Sequence, residues 1–210
     1  MIKIENVNVC NLENAVRGMR NPLNSWEKSD SGYQPANMCD HEFVIGDNDL
    51  DLMRRLYNAG KEHRKYLRQC FVSADIKAPR YWWPEMDQYK IGTVTNSCST
   101  MHTIHKKEFE LSDFSHENLT EGGLHWLEQT IEALNVSRNL YLNTKNKKYW
   151  WDLIQLLPQS YNQMRTWTGN YEILLSIYFQ RKDHKLDEWH TFCDWVLSLP
   201  YMREITGIEG

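Results

Sequence analysis

One arginine of the sequence lies on the apolar side of a predicted helix. Leu174, Ile177 and Tyr178 follow the spacing of a buried helical stripe, and Arg181 continues that stripe seven, four and three residues later. A guanidinium on the inner side of a helix needs a partner, which can be a carboxylate, a carbonyl-rich base or a phosphate. The residue types leave two interpretations open: an ion pair that serves only the fold, or an arginine that binds a ligand.

The histidines and cysteines offer few candidate metal ligands. The pairs closest in sequence are Cys39 with His41, Cys98 with His102, and His102 with His105. None has the spacing of a structural zinc site, and the HExxH motif of zinc proteases is absent. We therefore expect no metal site and interpret these side chains as scattered surface or core residues.

Motifs for nucleophilic catalysis and for the common nucleotide-binding loops are absent. There is no GxSxG motif, no protease signature surrounds Cys98, and a free cysteine is most often a small buried residue. There is also no Walker A sequence and no GxGxxG motif. Binding of ATP or a dinucleotide through a Rossmann turn is therefore disfavoured.

Several short motifs are distributed over the whole chain. They are Ala15-Val16-Arg17-Gly18-Met19, His63 before Ala78-Pro79, Leu157-Pro158, Trp167-Thr168-Gly169-Asn170, Gln180-Arg181 and Asp187-Glu188-Trp189. In type and in spacing they resemble motifs of the flavin-dependent thymidylate synthases. That family has Ala-x-Arg-Val-Ser near its start and a histidine before a strand that ends in Ala-Pro. A Leu-Pro pair, Trp-Thr-x-Asn, a helix that ends in Leu-Arg and a Gln-Trp-Glu-like segment follow.

The segment after Pro79 covers the place of the family's central motif, R-H-R-x-x-S-x-N-E-x-S-x-R. Counted without gaps from His63, the motif positions are occupied by Gln88, Tyr89, Lys90, Thr93, Thr95, Asn96, Cys98 and Thr100. Thr100 replaces the last arginine, and Ile154 replaces an arginine four residues before the proline of Leu-Pro. The resemblance implies that two phosphate-binding arginines are missing. Either other cations replace them, or the ligand lacks a phosphate, or the site is inactive; the candidate replacements are Arg80, Lys90, Lys106, Lys147 and Lys148.

The resemblance implies an enzyme that transfers a one-carbon unit to C5 of a pyrimidine deoxynucleotide such as dUMP. FAD would carry the hydride, methylenetetrahydrofolate would supply the carbon, and NADPH would reduce the flavin. The family also implies a homotetramer with active sites shared between subunits. Such an assembly agrees with the nine tryptophans of the chain, although a plain core would explain them equally.

The family positions also imply roles for individual residues. Arg181 would orient and polarise the pyrimidine as the catalytic residue, and Asn96 and Cys98 would bind the nucleotide with it. The flavin contacts would be His63, Lys90, Thr93 and Asn170. For Asn170 a second interpretation is equally good, because asparagine is a favoured N-cap and a helix is predicted directly after it.

Two other functions remain open at the level of sequence. One is a non-catalytic, repurposed homo-oligomer that kept the scaffold and binds nucleotide or flavin. The other is a related enzyme with an altered pyrimidine reaction, such as hydroxymethylation. A yellow purified protein would favour the enzymes over the first of these, because a bound flavin gives a yellow colour.

The elements that must position these residues follow from hydrophobic periodicity and from Gly and Pro positions. We predict strands over 2–9 and 68–76, and loops over about 20–46 and 92–100. Predicted helices cover 50–60 with Asp49 as N-cap and Gly60 as stop, 79–90 with Pro84 as a break, 122–142, 148–158, 171–182 and 186–200. The expected fold is α+β, mostly helical with a small antiparallel or mixed sheet, in one domain over 1–210.

Composition excludes several other classes of protein. The chain has 210 residues, is 41% hydrophobic and 25% charged, and carries a formal net charge of −4. These values are those of a packed domain, and they argue against a disordered chain or a direct nucleic-acid binder. Five widely spaced cysteines and an N-terminus without an apolar run favour the cytoplasm, with no signal peptide and no membrane span.

Overall fold

The computed structural model describes residues 1–36 and 41–209, so Cys39 lies outside the described residues. The strands are β1 (Lys3–Cys10), β2 (Gly32–Pro35), β3 (His41–Val44), β4 (Phe71–Pro79), β5 (Val94–Ser97) and β6 (Asn162–Asn170). The helices are α1 (Leu12–Arg20), α2 (Asp47–Asn58), α3 (Trp83–Met86), α4 (Thr100–Thr103), α5 (Glu121–Thr144), α6 (Lys147–Gln155), α7 (Tyr171–Arg181), α8 (Asp187–Ser198) and α9 (Met202–Thr206).

A four-stranded sheet has the strand order β1-β4-β6-β5. The side chains of Ser73 and Thr168 share a hydrogen bond of 2.7 Å, and Thr166 donates to Asp75 at 2.5 Å. From the first pair to the second, the residue number rises by two in β4 and falls by two in β6, so the two strands are antiparallel. The helices and this small sheet confirm the predicted α+β class.

The chain divides into two compact units. Unit 1 comprises Met1–Glu5, Asp75–Lys90 and Thr95–Trp167, and unit 2 comprises Asn6–Ala74, Ile91–Val94 and Thr168–Gly210. Each unit has its own buried apolar residues.

The core of unit 1 is built on α5 and α6. Leu127, Ile131 and Leu134 of α5 are buried at the predicted helical spacing, together with Leu153 of α6. Thr120 begins α5, since its hydroxyl accepts a hydrogen bond from the backbone N–H of Gly123 at 3.2 Å. Both helices agree with the sequence prediction.

The core of unit 2 is built on α7 and α8. Leu174 and Ile177 of α7 are fully buried, as are Trp189 and Phe192 of α8, whose ring centroids lie 5.6 Å apart in an edge-to-face contact. Both helices lie where the periodicity predicts them. Gly60 also acts as predicted: it follows the C-cap of α2 and has φ of +107°, a conformation that favours glycine.

The predicted loop over 20–46 is wrong. This segment contains two short 3₁₀ turns, Asn21–Leu23 and Trp26–Lys28, followed by the antiparallel hairpin of β2 and β3. Tyr33 and Phe43 face each other across the hairpin, with ring centroids 5.4 Å apart. The polar composition of the segment hid these two strands, because their pairing depends on residues from two separate stretches of the chain.

The predicted N-cap of α2 is also wrong. The helix begins after Gly46, and its first N–H groups are satisfied by a residue far back in the chain. The carboxylate of Asp30 accepts hydrogen bonds from the backbone N–H groups of Asn48 at 2.9 Å and Asp49 at 3.1 Å. Asp49 is therefore not needed as a cap, and its own carboxylate is buried inside unit 2.

The region between Pro79 and Thr100 departs from two predictions. The aromatic helix over 79–90 is one turn only, α3, because β4 extends to Pro79 and Pro84 lies in the first turn of α3. The predicted loop over 92–100 contains β5 and the start of α4. The prediction also contains no strand at β6, whose mixed polar residues pair with neighbouring strands rather than follow a clear alternation.

Candidate functional site

A cleft of about 940 Å³ opens in unit 2 between α1, α2 and the turns that connect them to their neighbours. This volume falls in the range of natural ligand sites. Its charged lining has four cations, Arg20, Lys28, Arg55 and Lys65, against two acids, Glu27 and Glu62. The cleft also contains His63, and its apolar wall includes Leu23, Leu52 and Leu56. Arg20 and Arg55 pair with Asp49 and Asp51, so Lys28 and Lys65 are the lining lysine and arginine side chains without an ion pair among the described residues. These two lysines beside an apolar wall suit a ligand that carries negative groups and a flat hydrophobic part.

A buried ion pair supports one side of this cleft. Arg20 donates through Nε to Asp49 at 2.5 Å, and neither side chain is more than 5% exposed. Asp49 also accepts hydrogen bonds from the hydroxyls of Ser29 at 2.7 Å and Ser31 at 2.6 Å. Burial alone would raise the pKa of Asp49, but the hydrogen bonds from Ser31, Ser29 and Arg20 outweigh it, so its pKa lies below the ordinary value. Asp49 thus holds the 25–31 segment against α1 and α2.

His63, a predicted flavin contact, lies at the rim of the cleft with its side chain exposed. The next residue fixes its position. Arg64 donates to Glu172 through Nη2 at 2.9 Å, and its Nε lies 2.9 Å from the other carboxylate oxygen. Both side chains are less than 15% exposed, and the guanidinium lies 5.0 Å from the ring centre of Tyr57. Since Glu172 is in the first turn of α7, the pair holds the His63 segment next to that helix end.

The predicted flavin contacts Asn170 and Thr93 meet at the same end of α7. Asn170 is buried and caps the helix, since its Oδ1 accepts a hydrogen bond from the N–H of Ile173 at 3.1 Å. The capping interpretation is therefore confirmed, and the flavin contact stays a prediction. A Cβ on Gly92 would lie 3.9 Å from Nδ2 of Asn170, so the Gly92-Thr93 backbone passes close to this cap. Unit 2 thus gathers Thr93, Asn170 and the neighbour of His63 at one helix end.

Substituting Gly92 with alanine should disturb this arrangement. Gly92 has φ of +73°, and a Cβ there would lie 2.9 Å from Cδ1 of Ile173. The left-handed backbone alone costs an L-residue about 1–2 kcal/mol, and the contact adds to that. We expect Gly92→Ala to lower the free energy of unfolding by at least about 1 kcal/mol in urea titrations. Gly122→Ala is the control, because a Cβ at Gly122 in the first turn of α5 meets no atom within 4 Å; equal effects would contradict this account.

Arg181 lies at the opposite end of α7, half-buried rather than fully enclosed. Its guanidinium carbon lies 4.8 Å from the ring centre of Trp189, which is fully buried. This cation–π contact satisfies one face of the guanidinium plane and holds it in place. Eleven residues of helix place Arg181 about 16 Å along the axis from Asn170. The two predicted contacts on α7 therefore serve different parts of any ligand.

The remaining predicted contacts belong to unit 1. Asn96 and Cys98 lie on or directly after β5, and both are exposed, as is Lys90. The backbone of Cys98 is fixed on both sides: its N–H donates to the carbonyl of Met164 at 2.9 Å, and its carbonyl accepts from Nε2 of Gln163 at 2.9 Å. Cys98 is therefore a surface thiol on a firm backbone, in contrast to the buried cysteine expected by default.

A second, smaller cavity in unit 1 was not predicted. It has a volume of about 280 Å³ and is lined by Arg80, Trp83, Pro84, Thr100, Gln159, Gln163 and Arg165. Arg165 is the residue that sequence reasoning missed, because its position on β6 becomes meaningful only when the strand is paired. Burial lowers the pKa of Arg165, and the nearby carboxylate of Asp87 opposes that shift. The lining contains two arginines and no acid.

The cations of unit 1 that were predicted to replace the missing phosphate-binding arginines lie in two different environments. Arg80 lines the small cavity together with Thr100, whereas Lys106, Lys147 and Lys148 are exposed on the surface. Lys147 lies about 6 Å from two tryptophan rings, with its Nζ 5.9 Å from the centre of Trp150. Ile154 packs against the apolar core of unit 1 and cannot contribute to a polar site.

Within the described ranges, no group of three or more His, Cys, Asp or Glu side chains could hold a metal ion. Nor does any helix of residues 1–36 and 41–209 combine the length and apolar character needed to cross a bilayer.

Comparison with known proteins identifies the fold. No protein-family model matches the sequence, and no curated protein has a significant match. A flavin-dependent thymidylate synthase, ThyX from Helicobacter pylori, complexed with FAD and dUMP, is similar in structure with a TM-score of 0.65 and 21% identity, over 97% of this chain and 95% of that chain. A second structure of ThyX from Helicobacter pylori with FAD and dUMP also has a TM-score of 0.65, at 20% identity, over 97% and 96%.

A third solved structure is more distant. The UMP/dUMP methylase PolB from Streptomyces cacaoi, bound with 5-Br UMP, is similar with a TM-score of 0.52 and 13% identity, over 86% of this chain and 76% of that chain. The chain therefore has the fold of the flavin-dependent thymidylate synthases, as the resemblance predicts.

Proposed function

We propose that this chain is a flavin-dependent transferase that adds a one-carbon group to C5 of a pyrimidine deoxynucleotide such as dUMP. The observation that carries the proposal is the large cleft of unit 2, with its unpaired lysines and apolar wall, in a chain with the fold of enzymes whose structures hold FAD and dUMP. FAD is the proposed cofactor, with NADPH and methylenetetrahydrofolate as co-substrates. The one-carbon group is a methyl or a hydroxymethyl group.

The cleft fits a flavin dinucleotide in size and in chemistry. A volume of about 940 Å³ is large for a ligand site and suits a dinucleotide. Among the described residues, the side chains of Lys28, His63 and Lys65 have no ion-pair partner, so they are available for a pyrophosphate. Leu52 and Leu56 of α2 offer an apolar surface for a ring system.

The proposed division of labour follows the placement of the side chains. A bound flavin would supply the hydride, and the chain would bind and polarise the pyrimidine. Arg181, whose guanidinium lies over the ring of Trp189, would donate to a pyrimidine carbonyl oxygen, where negative charge gathers when C5 becomes nucleophilic. The side-chain oxygen of Asn170 accepts the hydrogen bond of the helix cap, so its amide N–H₂ group is the part that would contact the flavin. Lys90 and Thr93 complete the proposed flavin contacts, and Asn96 and Cys98 the nucleotide contacts.

Exposed aromatic and apolar side chains support the further proposal of a homotetramer. Trp126 is 70% exposed and Ile91 is 92% exposed, and Trp151 and Phe179 are also on the surface. Large apolar side chains in these numbers suit contacts between subunits. The structural similarity extends over 97% of the chain and supports one functional domain over 1–210. The free thiols of Cys10 and Cys98 on the surface support a cytoplasmic location.

A second candidate function is a repurposed homo-oligomer that binds nucleotide or flavin without catalysis. The observation in its favour is the loss of the motif arginines, with Thr100 and Ile154 in their places. The visible spectrum of the pure protein tests flavin binding directly. Bound flavin together with exchange of the C5 hydrogen of dUMP would support the enzyme. Bound flavin without exchange would support the repurposed scaffold.

We expect His63→Ala to purify with less flavin than the parent but with nearly the same melting temperature. The side chain of His63 is exposed at the cleft rim, so its loss removes a ligand contact and leaves the core intact. The measurements are the ratio of visible to ultraviolet absorbance and a thermal melt. His190→Ala on α8 is the control, because His190 is exposed and does not line the cleft. Equal flavin content in the two variants would contradict the assigned cofactor site.

A further inference from the structure

We propose that the small cavity of unit 1 is an anion subsite in which Arg80 and Arg165 bind the phosphate monoester of the pyrimidine nucleotide. This inference deepens the proposed function and rests on it for the identity of the nucleotide. The existence of the subsite rests on the cavity alone, whose residues all belong to unit 1.

Arg165 is held as a preformed anion ligand. Its guanidinium carbon lies over the ring of Trp83, 4.2 Å from the ring centre, and Trp83 is buried. Nε donates to Oε1 of Gln163 at 3.2 Å, and Nη1 donates to both carboxylate oxygens of Asp87 at 2.9 and 3.2 Å. In the part of the chain that the structure describes, Nη2 has no hydrogen-bond acceptor. The Arg165 side chain is 16% exposed, and the Nη2 edge of its guanidinium is left for a ligand.

Arg80 supplies a second and uncompensated charge. Its backbone N–H donates to the carbonyl of Tyr161 at 3.0 Å, which fixes it at the end of the β4–β6 pairing. Its side chain is half-buried and has no ion pair or hydrogen bond to any residue in 1–36 or 41–209. A half-buried guanidinium without a partner is costly, and a second guanidinium in the same cavity adds repulsion. Asp87 neutralises only Arg165, so an anion bound in the cavity would stabilise both guanidinium groups.

The neutral residues and the size of the cavity indicate which anion fits. Thr100 and Gln159 line it and add a hydroxyl and an amide that can donate to oxygen. A volume of about 280 Å³ is ample for a phosphate group. Gln163 links the cavity to the residue that follows β5, because its side chain accepts a hydrogen bond from Arg165 and donates one to the carbonyl of Cys98. The rest of the nucleotide would extend toward Cys98, which is a proposed nucleotide contact.

The test compares ligands with and without phosphate by calorimetry on the flavin-loaded protein. The ligands are dUMP, deoxyuridine and inorganic phosphate. The variants are Arg80→Gln, which breaks no hydrogen bond or ion pair with a described residue, and Arg165→Lys, which keeps the charge but loses the planar grip. Lys148→Gln is the control for loss of one positive charge from the surface of the same unit.

We expect Arg80→Gln to weaken dUMP binding about 10- to 150-fold, the range for one charge-assisted hydrogen bond to a charged group. Deoxyuridine binding should not change, and Lys148→Gln should behave like the parent. Inorganic phosphate should compete with dUMP in the parent but not in Arg80→Gln. Arg165→Lys should lose part of the preference for dUMP over deoxyuridine. If both arginine variants keep the parent's preference, the proposal is wrong.

Two further outcomes separate this proposal from the proposed function. If the parent binds neither dUMP nor deoxyuridine, the proposed function fails, and the binding of inorganic phosphate then tests the subsite. Phosphate binding by the parent that is lost in Arg80→Gln would support an anion subsite. A parent that does not bind phosphate would overturn it. If Arg80→Gln loses its flavin and keeps its preference for dUMP, the phosphate in the cavity belongs to the cofactor. That result overturns the assignment to the substrate.

Discussion

Replacement of Arg181 with lysine should leave the protein folded and flavin-bound, yet slow exchange of the C5 hydrogen of dUMP about 100- to 1,000-fold. This range is the cost of removing one donor that stabilises a developing oxyanion, about 3–4 kcal/mol. Lysine keeps the positive charge but cannot offer two coplanar N–H groups to a carbonyl oxygen. It also loses much of the stacking on Trp189, which lies 4.8 Å from the guanidinium and sets its orientation. The exchange is measured by release of deuterium from C5-labelled dUMP.

The matched control for this prediction is Lys182→Arg. Lys182 follows Arg181 directly and is 47% exposed beside Asp183, so the change should leave the exchange rate unaltered. A purely structural Arg181 would behave differently from a catalytic one. In that case Arg181→Ala would lower the free energy of unfolding by a few kcal/mol, and no pyrimidine would bind to the parent. Unchanged exchange in a folded Arg181→Lys protein would exclude the catalytic role.

Asp49→Asn should destabilise unit 2 strongly, with a loss of about 3–5 kcal/mol in the free energy of unfolding at neutral pH. It leaves the buried guanidinium of Arg20 without its charged partner and weakens the hydrogen bonds from Ser29 and Ser31. Flavin content should fall as well, because the 25–31 segment carries Ser25 and Lys28 in the cleft wall. Urea or guanidinium titrations measure the first effect and visible absorbance the second.

The neighbouring pair on α2 provides the control. Asp51 binds Arg55 at 2.9 Å, but both side chains are more than 60% exposed, so Asp51→Asn should change the free energy of unfolding by less than about 1 kcal/mol. A comparable loss in both variants would mean that burial of the Arg20–Asp49 pair is not what makes it important.

The stabilisation by Asp49 should also depend on pH in one direction. The folded state holds the pKa of Asp49 below its ordinary value, so the unfolded chain binds the proton more readily. The contribution is therefore present above the unfolded pKa of about 3.9 and is lost as pH falls through the lower folded value. The difference in free energy of unfolding between the parent and Asp49→Asn should shrink from neutral pH to about pH 3. An equal difference at both pH values would show that the ionised carboxylate is not its source.

The helices of the second half of the chain could be predicted from sequence because their determinants are local. Leu127, Ile131 and Leu134 repeat at helical spacing and are buried along α5, and Leu174 and Ile177 do the same on α7. Asn170 caps α7 through a residue only three positions away. Such signals need no knowledge of the rest of the fold. The scattered motifs also predicted the fold, through their resemblance in type and spacing to those of a known family.

The sites were decided by contacts between residues that are distant in sequence. Asp49 has the residue type of a helix cap, yet it pairs with Arg20 because Asp30 occupies the capping role. Arg165 lies two residues before the Trp167-Thr168-Gly169-Asn170 motif but matches no position of it. Its importance appears only when the pairing of β6 places it against Trp83, 82 positions earlier, and in one cavity with Arg80. The role of a charged side chain depends on partners that the whole fold brings to it, whereas the periodicity of a helix is visible in the sequence of a few turns.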